Sequence, residues 1–182
     1  MRRILLFLFI LGFVKGNAQK TTDFPESWLG IWKGKMEIIT PKGVKQSLTM
    51  ELHITEREKQ KEDTARVWNW TIVYRINKDS ADIRNYTLIE KDKEKGHYLM
   101  DEQNDILLDC YYIGGVFWSA FEVQDTKLLS IDRKEGKTLI SEIMYGPAEP
   151  VQTTGGTSEE IPPVKSYGIK GVQRAVMRKT AR

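Results

Sequence analysis

From residue 30 almost to the end of the chain, apolar and polar side chains alternate with a period of two, and turn-forming residues break the alternation at short intervals. Such a pattern describes strands with one buried face; helical spacing is nearly absent. About ten strands are expected, over 30–40, 44–55, 66–77, 82–90, 97–102, 106–113, 116–123, 127–133, 137–145 and 164–178. Most connectors are hairpin-sized and read PKG, KEKG, EQND, GG, QD and KEG. Many short strands joined this tightly predict an all-β fold, an up-and-down antiparallel meander barrel of about 8–10 strands, because a sandwich usually needs long crossovers.

The hairpins fix their own registers. With Gly43 in the left-handed position of a bulged PKG turn, Trp32 falls opposite Leu52, Gly34 opposite Met50, Met36 opposite Leu48 and Ile38 opposite Gln46. One face is then almost wholly apolar, and a slip of one residue would mix the two. The Gly114-Gly115 turn pairs Tyr112 with Phe117, Cys110 with Ser119, Leu108 with Phe121 and Ile106 with Val123, an uncharged set that points inward. Its outer face pairs Tyr111 with Trp118 and Ile113 with Val116. A three-residue loop Lys134-Glu135-Gly136 aligns Ile131 with Leu139 and Leu129 with Ser141. In RVWNWTIVYRIN, Trp68, Trp70, Ile72, Tyr74 and Ile76 share one face. Burying about 150–250 Å² per indole contributes roughly 4–6 kcal/mol gross each.

The start of the chain, MRRILLFLFILGFVKGNAQK, sets a basic pair before an apolar run from Ile4 to Val14, with Gly16 and Ala18 beyond it. That run is short for a ~30 Å hydrocarbon core, and the pattern describes a signal peptide, residues 1–18, cleaved near Ala18. The expected mature chain is exported, periplasmic or extracellular, with no transmembrane anchor. It would comprise a lead-in over 19–29 and one barrel domain over 30–182. Residues 146–163, GPAEPVQTTGGTSEEIPP, read as a long strandless loop, either a lid over an open end or an excursion before the closing strand. The 28 basic and 25 acidic residues come into balance once Arg2, Arg3 and Lys15 are removed, which argues against a nucleic-acid partner.

Gly30-Ile31-Trp32 at the first strand, followed by a run of hairpins and a basic last strand VQRAVMRK, resembles the lipocalin-like (calycin) β-barrel family in an exported bacterial form. The resemblance implies that Trp32 corks the closed end of the barrel under an arginine, with Arg174 as the matching residue and Arg178 in reserve. The carboxylate-binding R-x-Y of the fatty-acid-binding branch is missing from the last strand, and no histidine lies beyond His97, where haem-binding members would use one.

No catalytic constellation stands out. Cys110, the only cysteine, points into the core, and His53 and His97 fall on the outer face and beside a turn, with no metal spacing and no cofactor motif. The remaining candidate site is the lumen. Its expected lining comprises Trp32, Met36, Gln46, Leu48, Met50 and Trp68 from the first three strands, with Trp70 and Tyr74. Tyr112, Phe117, Ser119 and Phe121 complete it. Such a list fits either a cavity for a small apolar or amphipathic molecule or a filled core. In the filled case function would move to the outer patch of Tyr111, Ile113, Val116 and Trp118, suited to a homo-oligomer or protein partner.

Overall fold

The computed structural model describes residues 24–60, 64–77 and 79–180. The expected signal peptide and most of the lead-in lie outside the described residues. A single 3-10 turn, Glu26–Trp28, precedes twelve strands. They are β1 (Gly30–Thr40), β2 (Gly43–Glu56), β3 (Val67–Arg75), β4 (Ala81–Asp92), β5 (His97–Asp101) and β6 (Leu107–Ile113). The second half holds β7 (Val116–Val123), β8 (Thr126–Glu135), β9 (Thr138–Pro147), β10 (Pro150–Thr154), β11 (Val164–Tyr167) and β12 (Gly171–Lys179). Among the described residues no helix is long and apolar enough to cross a membrane.

Ten strands close into an antiparallel meander barrel in the order β1-β12-β9-β8-β7-β6-β5-β4-β3-β2, and β10 and β11 form a separate two-stranded hairpin. Closure is made by β1 against β12, from Trp32 opposite Lys179 to Ile39 opposite Val172. Gly34 permits it: a Cβ there would meet the Val176 carbonyl oxygen at 1.9 Å. Closing the sheet leaves no unpaired edge in the main body of the fold.

The first hairpin has the register its turn dictates, with Trp32 opposite Leu52, Met36 opposite Leu48, and a bulge between Ile38 and Ile39. At the paired glycines, Tyr112 faces Phe117 and Cys110 faces Ser119. That ladder stops there. Leu108 and Phe121, and Ile106 and Val123, are not paired, because β6 and β7 part toward the opposite end of the barrel.

Two expectations are corrected. The β8–β9 turn has two residues, not three: Glu135 pairs with Thr138, and Ser141 lies opposite Asp132 rather than Leu129. An odd shift inverts one strand, so Ile131 and Leu129 leave the interior and Asp132, Ser130 and Leu128 enter it. The segment 146–163 is not strandless either. Val151-Gln152-Thr153-Thr154 is β-prone enough to carry β10, with Pro150 at the strand's start where a missing N–H is tolerated. The connection carrying this hairpin lies beside the barrel mouth, where Gly146, Pro147, Tyr167, Gly168 and Ile169 border a cleft shared with Phe121, Leu128 and Tyr145 of the lumen wall.

One end of the barrel is packed shut. The chain from Phe24 to Trp28 folds across it, and Trp28 and Trp32 are each 1 % exposed. The Trp32 Nε1–H donates to the Trp28 carbonyl at 2.7 Å. Phe24 stacks on Tyr112 at 4.3 Å between centroids and meets Trp28 and Phe117 at 5.0 Å each. The Tyr98 hydroxyl donates to the Phe24 carbonyl at 3.3 Å. Trp28 and Trp32 thus stand together at the first strand as two layers of one floor.

Outside, alternation delivers charges in register. Glu51 accepts from Arg75 at 2.7 Å and lies 3.0 Å from both Lys33 and His53. The Arg75 hydrogen bond, with those from His53 and Lys33, outweighs burial and holds the Glu51 carboxyl down to about 2.

Candidate functional site

Above the aromatic floor the barrel is hollow. The cavity has a volume of about 760 Å³ and runs to the end bearing the β1–β2, β3–β4, β5–β6 and β7–β8 turns. A cavity of that size favours a ligand-holding barrel over a filled one. Trp70, Phe117, Leu52, Met50 and Met100 form its base, and Leu48, Ile72, Tyr74, Leu108, Phe121 and Ile143 its walls. The parting of β6 from β7 extends the mouth sideways, where Ile106, Leu108, Phe121 and Val123 border the space.

Of the twelve residues expected to line the lumen, Met36, Gln46, Leu48, Met50, Trp70, Tyr74, Phe117, Ser119 and Phe121 do. Trp32, Trp68 and Tyr112 do not: they belong to the floor, which the segment from Phe24 to Trp28 seals beneath them. The sealing cation is also different. Along β12 the inward positions are Gln173, Ala175 and Met177, so Arg174 and Arg178 project outward. Arg174 donates from Nε to Glu142 Oε1 at 2.6 Å on the outer surface. Over the Trp32 ring lies the Lys179 Nζ, 5.8 Å from its centroid.

The polar groups of the lumen fall into two sets. Near the mouth, Arg84 donates from Nε and Nη2 to Asp82 Oδ2 at 3.1 and 3.0 Å and lies over the Tyr74 ring at 5.1 Å. The Gln173 amide donates to the Tyr74 hydroxyl at 3.4 Å, and its Nε2 is 2.8 Å from Met36 Sδ. Burial raises the pKa of Tyr74 above its ordinary value despite that hydrogen bond. Deeper, Asp132 stands opposite Phe117 on one side and Ser141 on the other, with Ser119 and Ser130 also on the wall. Burial pushes the Asp132 carboxyl up to about 6, opposed only by the neighbouring Ser141 hydroxyl.

Sequence reasoning missed Asp132. The available signal was the two-residue Gly136-Lys137 turn, with Gly136 at φ 59°. Taking that turn would have turned Asp132 inward.

Cys110 is 2 % exposed, and burial pushes its thiol up to about 11, leaving it protonated at neutral pH. His97 lies away from it, stacked on Tyr111 at 4.8 Å and hydrogen-bonded to Asp109 at 2.6 Å. On the outer face, Tyr111, Ile113 and Trp118 are exposed and Val116 is half-buried. The Trp118 indole donates to the Ile113 carbonyl at 3.4 Å.

A closed antiparallel meander around a one-ended cavity is a lipocalin-like barrel. Among solved structures, the S-type phycobiliprotein lyase CPES from Guillardia theta resembles it, with a TM-score of 0.56 and 7% identity over 86% of this chain and 91% of that one. At that identity the likeness is one of fold. No family model and no curated protein matches the chain.

Proposed function

We infer that this is an exported, non-enzymatic barrel that holds a small apolar or amphipathic molecule in its lumen. One observation carries the reading: a cavity of about 760 Å³, sealed below and open above, with a largely apolar lining and a few polar groups. Its size lies within the ~300–1,000 Å³ typical of small-molecule sites, and apolar transfer into it supplies the driving force at about 25 cal/mol per Å² buried. The lyase likeness supports a barrel architecture of this kind and brings no ligand with it. The non-enzymatic reading is supported by the protonated, buried Cys110 thiol. Export rests on the apolar N-terminal segment and predicts a mature protein that begins at Gln19, as read by intact mass after secretion.

The test is a fluorescence titration of the mature protein with the neutral probe N-phenyl-1-naphthylamine. Saturable enhancement at one site per chain is expected, and it should be lost when Ile72→Trp fills the lumen. No uptake of this probe, together with no bound lipid, haem or aromatic species in native mass spectrometry, would refute the reading. A second reading concerns the outside: the exposed Tyr111, Ile113 and Trp118 suit contact with a second copy of the chain.

A further inference from the structure

Among the described residues two carboxylates are buried, Glu51 and Asp132, and they are treated in opposite ways. Glu51, on the outer face, has Arg75, Lys33 and His53 around it. Asp132, on the inner face and 8 % exposed, has no ion-pair partner among the described residues; the polar groups beside it are hydroxyls. A carboxylate removed from bulk water is normally paired or converted to its neutral form. Asp132 is left unpaired where the cavity wall presents it to the lumen.

Acidic groups outnumber basic ones over the rest of the lining. Asp82, Glu102, Glu122 and Asp132 border the cavity against the single guanidinium of Arg84, which is already committed to Asp82. A cleft walled by one sign of charge in a low-dielectric frame concentrates the opposite sign. The base adds ring faces, with Phe117 directly across the ladder from Asp132 and Trp70 5.4 Å from Phe117 between centroids. Aromatic faces next to a carboxylate favour an organic cation, which gains from both.

We propose that the lumen selects an organic ammonium ion with an apolar body, its charged head seated on Asp132 among Ser119, Ser141 and Phe117 and its body running up to the mouth. The proposal rests on the lumen being the binding site. Asp132 and Leu128 are four residues apart on β8, about 13 Å along the strand and about 10 Å along the axis of a barrel with the usual strand tilt, which is the depth available to the body. An anionic amphiphile is disfavoured. Its head would meet an unpaired carboxylate at depth and a spoken-for arginine at the mouth.

The experiment displaces N-phenyl-1-naphthylamine from the wild-type protein at pH 7.5 with octylammonium, octanol and octanoate, which share a chain and differ in the head. Octylammonium should compete at least tenfold better than octanol, and octanoate worst. In Asp132→Asn the ammonium advantage over octanol should collapse to within about twofold, while saturable uptake of the neutral probe reports that the lumen is intact. Probe binding with octanol or octanoate equal to or better than octylammonium overturns the proposal and leaves the lumen reading standing. So does an ammonium preference that survives in the variant. Absence of probe binding, together with no species retained in native mass spectrometry, refutes the lumen reading, and the proposal falls with it. The wild-type head-group order decides the matter even if the variant does not fold.

Discussion

Replacing Asp132 by asparagine should stabilise the empty barrel at neutral pH and do little for it in acid. Burial raises the carboxyl from its ordinary 3.8 to about 6, so the native state keeps its proton where the unfolded chain has lost it. Between those two values the folded protein binds more protons, and stability falls as pH rises. Below pH 3.8 both states are protonated and no cost arises; above pH 6 the cost is complete. At about 1.4 kcal/mol per pH unit the full cost is about 3 kcal/mol at pH 7.5, falling to about 0.5 kcal/mol at pH 4. Asparagine cannot ionise. Its gain over wild type should therefore be about 2.5 kcal/mol larger at pH 7.5 than at pH 4. With a urea slope of roughly 2 kcal/mol per M for a domain of this size, the midpoint difference between the two proteins widens by about 1.2 M. Urea titrations of both proteins at both pH values give this double difference, in which titration of Glu51 and the other carboxylates cancels. A gain that is the same at both pH values would refute the reasoning. Water in the lumen would then hydrate the carboxylate as bulk solvent does, and no uncompensated charge would await a ligand.

The floor and the outer patch yield two further expectations. Trp32→Ala should cost about 3–5 kcal/mol because it empties a fully buried site, whereas Arg174→Ala, an outer-surface pair with Glu142, should cost at most about 1 kcal/mol; thermal unfolding of the two variants side by side checks the order, and equal losses would restore Arg174 to the floor. If a second copy docks on the outer patch, Trp118→Glu should turn a dimer into a monomer in sedimentation velocity with the melting temperature unchanged. A monomeric wild type at high concentration disposes of that contact.

The pattern of the sequence determined most of the barrel, and its failures have local causes. The first hairpin and the turn end of the Gly114-Gly115 hairpin were legible because each turn and each apolar face demanded the same register, whereas the expected Leu108–Phe121 and Ile106–Val123 pairs fail where β6 and β7 part. The β8–β9 hairpin was not: Leu129 and Ile131 look like core residues beside Ser130 and Asp132, yet the tight turn at Gly136-Lys137 sends the polar pair inward. Apolar content alone thus chose the wrong face of β8, and the inner carboxylate vanished with it. The same parity argument separates Arg174 from Lys179, since an arginine one place from the inward set can reach only the surface. The cavity itself was not legible. Trp70, Phe117 and Met50 read alike whether rings fill a lumen or floor it, and what decided the matter was the Phe24–Trp28 segment, which supplies the floor from outside the strands.

The position of Asp132 links that floor to the proposed selectivity. Were the barrel filled, a carboxylate between Phe117 and Ser141 would have nothing to face but hydrocarbon, and it would remain neutral at most pH values. Because the floor stops at Phe117 and the lumen begins there, the same carboxylate has one unobstructed direction, upward, along the axis by which any ligand must arrive. The energy lost in burying it is therefore recoverable by an incoming cation and by little else. Such a ligand gains its own binding interactions and also relieves a cost already built into the empty protein. A neutral ligand of the same shape would gain only the transfer of its apolar surface, so the difference in affinity between the two traces back to a single inward-facing residue on β8.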